Sequence, residues 1–299
     1  MSESPHNLPA ARALIVTADD YGMADCVNRA IDECLEAGTV TSTCVMMNMP
    51  ECDAAGTLRE RFPDASVGIH FNLTAGAPVL ATGEVPTLLD SRGRFLSLTQ
   101  FRRGLVTGRV SPTEALAELR AQYERFREVV GDADFWNTHQ NVDLWPGMAT
   151  RMVGLAAEAG IPAMRSYRRV TVPAHGSAAA FCLRRPKYCL KGLVLAWWAR
   201  RAAAAGMRLP DGLVYPFGFP EEKADVEQIA FRIPWASLRR GVVELTVHPS
   251  TSADGEHFGA LTESRVEEYR CFSDARLRVR LGERDIRLAG FEVLDHQTK

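Results

Sequence analysis

Two acidic residues stand side by side at Asp19 and Asp20, one residue after the apolar run Ala13-Leu14-Ile15-Val16-Thr17. Adjacent carboxylates repel unless a proton or a cation compensates them, so the pair suits a division of labour: one binds a metal ion and the other handles protons. The same pair also suits an Asx-type turn that caps the following helix. Three histidines take comparable positions. His70 lies in Gly68-Ile69-His70-Phe71-Asn72-Leu73-Thr74, His139 follows Phe135-Trp136-Asn137-Thr138, and His248 ends Val242-Val243-Glu244-Leu245-Thr246-Val247 before Pro249. A lone strand histidine is more often structural than chemical. Strands of a parallel α/β fold, however, build their site at their C-terminal ends, where these five residues would converge. A mononuclear hydrolytic metal has about three protein ligands and an open position for water. Asp20, His70 and His139 supply that set. Asp19 can then take a proton from water, and His248 can donate one to a departing amine. Arg165, at another strand end, either pairs with Asp19 and holds it ionised or is a surface arginine.

The elements that must position these residues follow from periodicity. A helix over roughly Ala24 to Ala37 stacks Val27, Ala30, Ile31, Cys34 and Leu35 on one stripe and stops at Gly38. Strands are predicted over Val40 to Met47 and Ser66 to Leu73, with a helix over Cys52 to Arg61 between them. Ser111-Pro112-Thr113-Glu114 offers an N-cap, a proline at N1 and a glutamate able to close a capping box. Phe135 to Thr138, Ala163 to Arg165, Val242 to Val247 and Ile286 to Phe291 read as further strands. Met148 to Ala159 and a segment including Val266 to Phe272 read as helices. Around seven strands alternating with helices predict an α/β chain with a parallel sheet, closed as one (β/α) barrel domain over residues 1–299 rather than split in two. Residues 1–11 are expected to form a flexible N-terminus. Residues 76–110 and 172–222 fit least well and are expected to be insertions or long loops over the site, with 172–222 a lid or an interface segment.

Composition narrows the class. With 46 % apolar and 24 % charged residues the chain reads as an ordinary globular protein, and a net charge of −2 offers no field to recruit nucleic acid or an anionic membrane. Seven cysteines without a C-x-x-C pair suggest neither a disulfide scaffold nor a zinc knuckle, which fits a reducing, cytoplasmic setting. The N-terminus lacks a signal-peptide pattern, and the apolar stretch Gly192 to Ala199 is about half of what a transmembrane segment needs. Around Trp197 and Trp198 stand Arg184, Arg185, Lys187, Lys191, Arg200 and Arg201. This segment reads as an amphipathic helix packing on the barrel or on a second copy in a homodimer, or as a lid meeting a large or anionic substrate. Trp145, Tyr215, Phe217 and Phe219 could stack on sugar rings or belong to the core.

Taken together these motifs resemble the YdjC-like family of carbohydrate deacetylases, which includes chitooligosaccharide deacetylases and hopanoid-associated members. The resemblance runs over nearly the whole chain: Thr17-Ala18-Asp19-Asp20-Tyr21-Gly22, Thr41-Ser42-Thr43, Gly68 to Leu73, Thr138-His139-Gln140, Arg165, Glu244 to Pro249 and Ser264-Arg265-Val266-Glu267-Glu268-Tyr269-Arg270. It implies a distorted (β/α), TIM-like barrel, metal ligands Asp20, His70 and His139, Asp19 as base and His248 as acid. One departure is that the family usually repeats histidine at every second position after His139, where this chain has Asn141 and Asp143. The implied activity is metal-dependent removal of an N-acyl group, with acetyl as the first expectation, from an amino sugar or glycoconjugate. Competing readings are a metal-dependent hydrolase of another bond, such as a phosphoester, and a catalytically silent carbohydrate-binding protein. Oxygen and imidazole ligands fit zinc first, and also manganese, cobalt or nickel, with magnesium less natural beside two histidines.

Overall fold

The computed structural model describes residues 12–145, 147–166, 186–214, 241–259 and 261–296. Its centre is β1, Arg12–Tyr21, whose apolar run is buried on both faces. Along one edge β1 pairs with β6, Val242–Val247, from Ala13 to Ala18. The other edge is shared: β7, Ile286–Leu288, pairs with Arg12 to Leu14, and β2, Ser42–Val45, takes over from Thr17. β3, Ser66–Phe71, and β4, Trp136–Thr138, extend the sheet beyond β2, and β5, Gly212–Val214, lies beyond β6, giving the order β4-β3-β2-β1-β6-β5. Every pairing between these strands is parallel. From β4 the hydrogen bonds continue round. Trp136 N–H donates to the Ala163 carbonyl (3.0 Å), and Met164 N–H donates to that of Arg208 (3.0 Å), shortly before β5. The sheet therefore curls into a half-barrel of parallel strands, and among the described residues its 163–208 side is joined by isolated bridges.

Alternation along β1 explains what the barrel presents at its mouth. Leu14, Val16 and Ala18 pack into the larger core beneath the helices, whereas Ala13 and Ile15 join Cys44, Phe135, Ala163 and Phe291 in a smaller interior cluster. Phe135 and Phe291 stack there at 3.9 Å. The interior series continues through Thr17, whose hydroxyl meets that of Ser42 at 2.8 Å, to Asp19. Period-two geometry thus places a carboxylate on top of an apolar column.

Among the described residues the helices are α1, Asp25–Glu36; α2, Leu58–Arg61, after a 3₁₀ turn at Cys52–Thr57; α3, Leu98–Thr107; α4, Pro112–Val129; α5, Ala149–Glu158; α6, Pro186–Ala204; α7, Glu263–Phe272; and α8, Arg276–Gly282. No helix among the described residues is long and apolar enough to cross a membrane. Several expectations need correction. Residues 76–110, expected to be an insertion or a long loop, hold α3 with a complete capping box between Ser97 and Gln100. The box expected at Ser111 is half formed: Ser111 Oγ accepts from Glu114 N–H (3.3 Å), but the Glu114 carboxylate turns to Thr87 N–H and Oγ1, both at 2.8 Å. The 172–222 boundary takes in β5, which belongs to the sheet. The strand expected over Ile286 to Phe291 stops at Leu288, and a 3₁₀ turn starts at Phe291. Trp198 is buried, whereas Trp197 is 57 % exposed with the Arg201 guanidinium 5.0 Å from its ring. Residues 1–11, Arg184, Arg185, Tyr215, Phe217 and Phe219 and the side chains of Lys187 and Lys191 lie outside the described residues.

Candidate active site

Asp20, His70 and His139 are all buried and meet at the C-terminal ends of β1, β3 and β4. Asp20 Oδ1 lies 3.2 Å from His70 Nε2 and 3.1 Å from His139 Nδ1, and the donor atoms of the three lie within 4.8 Å of one another. One backbone feature makes this possible. Neighbouring strand residues point to opposite faces, yet Asp20 sits at φ 72°, in the left-handed region, and β1 changes register between Ala18 and Tyr21. That conformation costs about 1–2 kcal/mol for a residue with a Cβ, with aspartate among the more tolerant. It lets both carboxylates of an adjacent pair serve one site.

Asn137 sets the chemistry of His70. Its amide Nδ2 donates to Asp19 Oδ1 at 3.1 Å, so its Oδ1, 2.5 Å from His70 Nδ1, must accept. His70 then carries a proton on Nδ1 and turns Nε2 towards Asp20; burial, which lowers its pKa, is outweighed by Asp19 and Asp20, and a metal held there would take the place of the Nε2 proton. His139 Nε2 is buried without a hydrogen-bond partner among the described residues. An oxygen and two imidazole nitrogens converging in this way, with an orphaned ring nitrogen beside them, fit a divalent transition metal. Asp19, Cys44 and His70 form a second convergent trio. It suits a cation less well, because burial keeps the Cys44 thiol protonated and Asp19 already has a guanidinium partner.

Arg165 grips Asp19 with both terminal nitrogens, Nη1 to Oδ2 at 2.6 Å and Nη2 to Oδ1 at 2.8 Å, while its Nε donates to Glu244 Oε1 at 2.9 Å. Of the two sequence-based options, the buried ion pair is the one found. Burial pushes the Asp19 carboxyl towards protonation, but the Arg165 charge, then His70, outweighs it and holds the group well below the usual range. Asp20 is likewise held down, burial being overcome by Arg265 and His139. His248 Nε2 lies 3.7 Å from Asp19 Oδ2, with a fifth of the side chain exposed. Burial pushes its pKa down to about 4 despite the two aspartates.

Sequence reasoning missed two charged residues on α7. Arg265 is buried, and its Nη2 lies 2.6 Å from Asp20 Oδ2. Glu268, one turn on, accepts the backbone N–H of His248, and burial raises its pKa to about 8. Their spacing by three residues places both on one helical face, a signal available in Arg265-Val266-Glu267-Glu268 but indistinguishable there from a solvated charge run. At the departures after His139, Asp143 accepts from Thr138 Oγ1, and Asn141 occupies a left-handed turn at φ 53°. The Trp145 ring is already covered by Arg102, 4.0 Å from its centre. A separate cleft at the opposite, N-terminal end of the strands is lined by Ser66, Asp134 and Pro162 among others, and its Arg59 and Arg208 are paired with Asp134 and Asp295.

Residues 13–283 match the family model described as YdjC-like protein. A carbohydrate deacetylase of Halalkalibacterium halodurans is 33 % identical over 155 residues, 52 % of this chain and 64 % of that protein. One of Mus musculus is 37 % identical over 137 residues, covering 45 % and 44 %. A chitooligosaccharide deacetylase of Yersinia pestis is 33 % identical over 152 residues, covering 50 % and 58 %. The chain thus spans about half the length of the curated relatives it matches. A crystal structure of an Enterococcus faecalis protein named for cellobiose-phosphate cleavage superposes with a TM-score of 0.73 at 23 % identity, covering 95 % of this chain and 99 % of that one, which supports the fold. Since the family match runs from β1 to the end of α8 and takes in Asp19, Asp20, His70, His139, Arg165, His248 and Arg265, the chain belongs to the YdjC-like protein family.

Proposed function

We propose that this chain is a metal-dependent hydrolase that removes an N-acyl group, in the first instance acetyl, from an amino sugar or glycoconjugate. The observation that carries the reading is the convergence of Asp20 Oδ1, His70 Nε2 and His139 Nδ1 beside an ionised Asp19 and a neutral His248. The names of the relatives, carbohydrate and chitooligosaccharide deacetylase, support the substrate class. Asp20, His70 and His139 would hold the ion, zinc being the best match to one oxygen and two nitrogens. A metal held there supplies Lewis acidity: it lowers the pKa of water and polarises the amide carbonyl. Asp19 takes the proton of the attacking water, Arg165 keeps it ionised until then, and His248, neutral at rest, first receives that proton from Asp19 Oδ2, 3.7 Å from its Nε2, and then passes it to the departing amine. The exposed Trp197 face of α6 is our proposed contact between two copies in a homodimer.

A second assignment of the proton roles draws on a specific observation. Asp19 Oδ1 already accepts from Cys44, Asn137 and Arg165, and Oδ2 accepts from Arg165, which makes it a reluctant proton acceptor. His248, neutral at neutral pH, could collect the proton itself and then deliver it to the amine, with Asp19 stabilising the imidazolium. Release of free amine from N-acetylglucosamine oligosaccharides, followed by mass spectrometry with zinc and then with chelator, tests the reaction. Retained metal and no loss of acyl mass across the panel would overturn it. In the same assay, Asp19→Asn turnover reduced by 10²-fold or more, with metal kept, supports Asp19 as base. A milder loss, against near-complete loss in His248→Ala, supports His248 in both roles.

A further inference from the structure

We infer that Arg265 is a positioning residue for Asp20, occupying Oδ2 so that Oδ1 alone faces His70 and His139. This rests on the metal-site reading above. Asp20 has two oxygens with separate partners: Oδ1 sits between the imidazoles, and Oδ2 accepts from Arg265 Nη2 at 2.6 Å. Because its backbone is left-handed, the pleat of β1 does not dictate where its carboxylate points. A fixed external partner must do so. Arg265 is suited to this because it is itself held on three sides. It stands in the first turn of α7, its Nε donates to the Leu261 carbonyl at 3.2 Å, and its guanidinium lies 4.5 Å from the centre of the Phe258 ring. The residue is 1 % exposed, and Asp20 is its ion-pair partner among the described residues.

Two consequences follow. The carboxylate is restricted to one coordinating oxygen. The ligand set together with Arg265 also carries no net charge when both histidines are neutral, so cation affinity depends on where Oδ1 is held rather than on accumulated negative charge. Partners behind metal ligands commonly contribute 10–100-fold in affinity.

The test is zinc affinity, measured without substrate by competition with a chromophoric chelator, for the wild type, Arg265→Gln, Arg265→Lys and Phe258→Ala. Thermal melts in the presence of excess zinc verify folding. The expected result is zinc binding weakened roughly 10–100-fold in Arg265→Gln. Arg265→Lys, which keeps the charge without the fork, should recover part of that loss, and Phe258→Ala, which keeps the ion pair on a looser support, should lose less than Arg265→Gln. A folded Arg265→Gln chain with wild-type affinity would overturn the inference. Should that variant fail to fold, wild-type affinity in both Arg265→Lys and Phe258→Ala would do so. Zinc held tightly by a wild type that releases no amine would instead remove the deacetylase reading and leave the role of Arg265 standing.

Discussion

Asp19 and Asp20 are neighbours in the chain, yet each meets a different arginine, Arg165 for the first and Arg265 for the second. Removing one member of such a buried pair leaves an uncompensated charge and commonly costs about 3–5 kcal/mol. The Glu268 carboxyl carries the opposite problem: it is buried beside two aspartates, and its pKa is raised from 4.5 to about 8. The folded protein therefore retains a proton that the unfolded chain releases. Stability contributed by this group is complete below about pH 4.5 and is lost as the pH rises through about 8, a change on the order of a few kcal/mol. Glu268→Gln, which cannot ionise, should show a smaller fall in denaturation free energy between pH 5 and 8.5 than the wild type. Equal slopes in the two proteins would show that Glu268 does not titrate in that window.

Among the elements, β3 and α3 make separable demands. Gly68 lies in β3 two residues before His70, and a Cβ there would stand 2.6 Å from the Phe135 carbonyl oxygen and 2.7 Å from its ring. Gly68→Ala must push apart the strand bearing His70 and the residue leading into β4, so a loss of about 1–3 kcal/mol is expected from urea denaturation. Because that shift also moves His70 relative to Asn137, zinc affinity should fall with it. The capping box of α3 lies in the segment where the sequence suggested a loop. Ser97→Ala should cost about 1 kcal/mol and leave zinc affinity unchanged, and a parallel loss of affinity would show that α3 bears on the site. Arg94, from the turn before α3, reaches Glu256 (2.7 Å) and His257 (2.8 Å) in the segment after β6, so that segment is tied to the loop following His248.

At the scale of the whole molecule, the proposed metal joins the ends of β1, β3 and β4, three strands that share one curled sheet. A ligand that binds only the folded chain stabilises it by about 2.7 kcal/mol when free ligand is a hundredfold above its dissociation constant. Chelation should therefore lower the Tm of the wild type and leave that of His70→Ala nearly unchanged. Equal shifts in both would place the metal elsewhere. The elements and the identity of the cluster were legible in the chain because they follow from local pattern. An apolar run ending in Asp19-Asp20, strand ends beside His70, His139 and His248, and helical stripes such as Val27 to Leu35 are statements about neighbours in sequence. What only the tertiary structure decided depends on contacts between distant residues: Arg165 turned inward to Asp19, Asn137 setting the proton of His70, β5 joining the sheet from within a supposed insertion, and Arg265 and Glu268 facing the site from α7. The left-handed turn at Asp20 belongs with these, since no periodicity announces a residue that leaves the pleat. Local sequence determines which side chains stand at strand ends, and packing determines which oxygen or nitrogen each one presents.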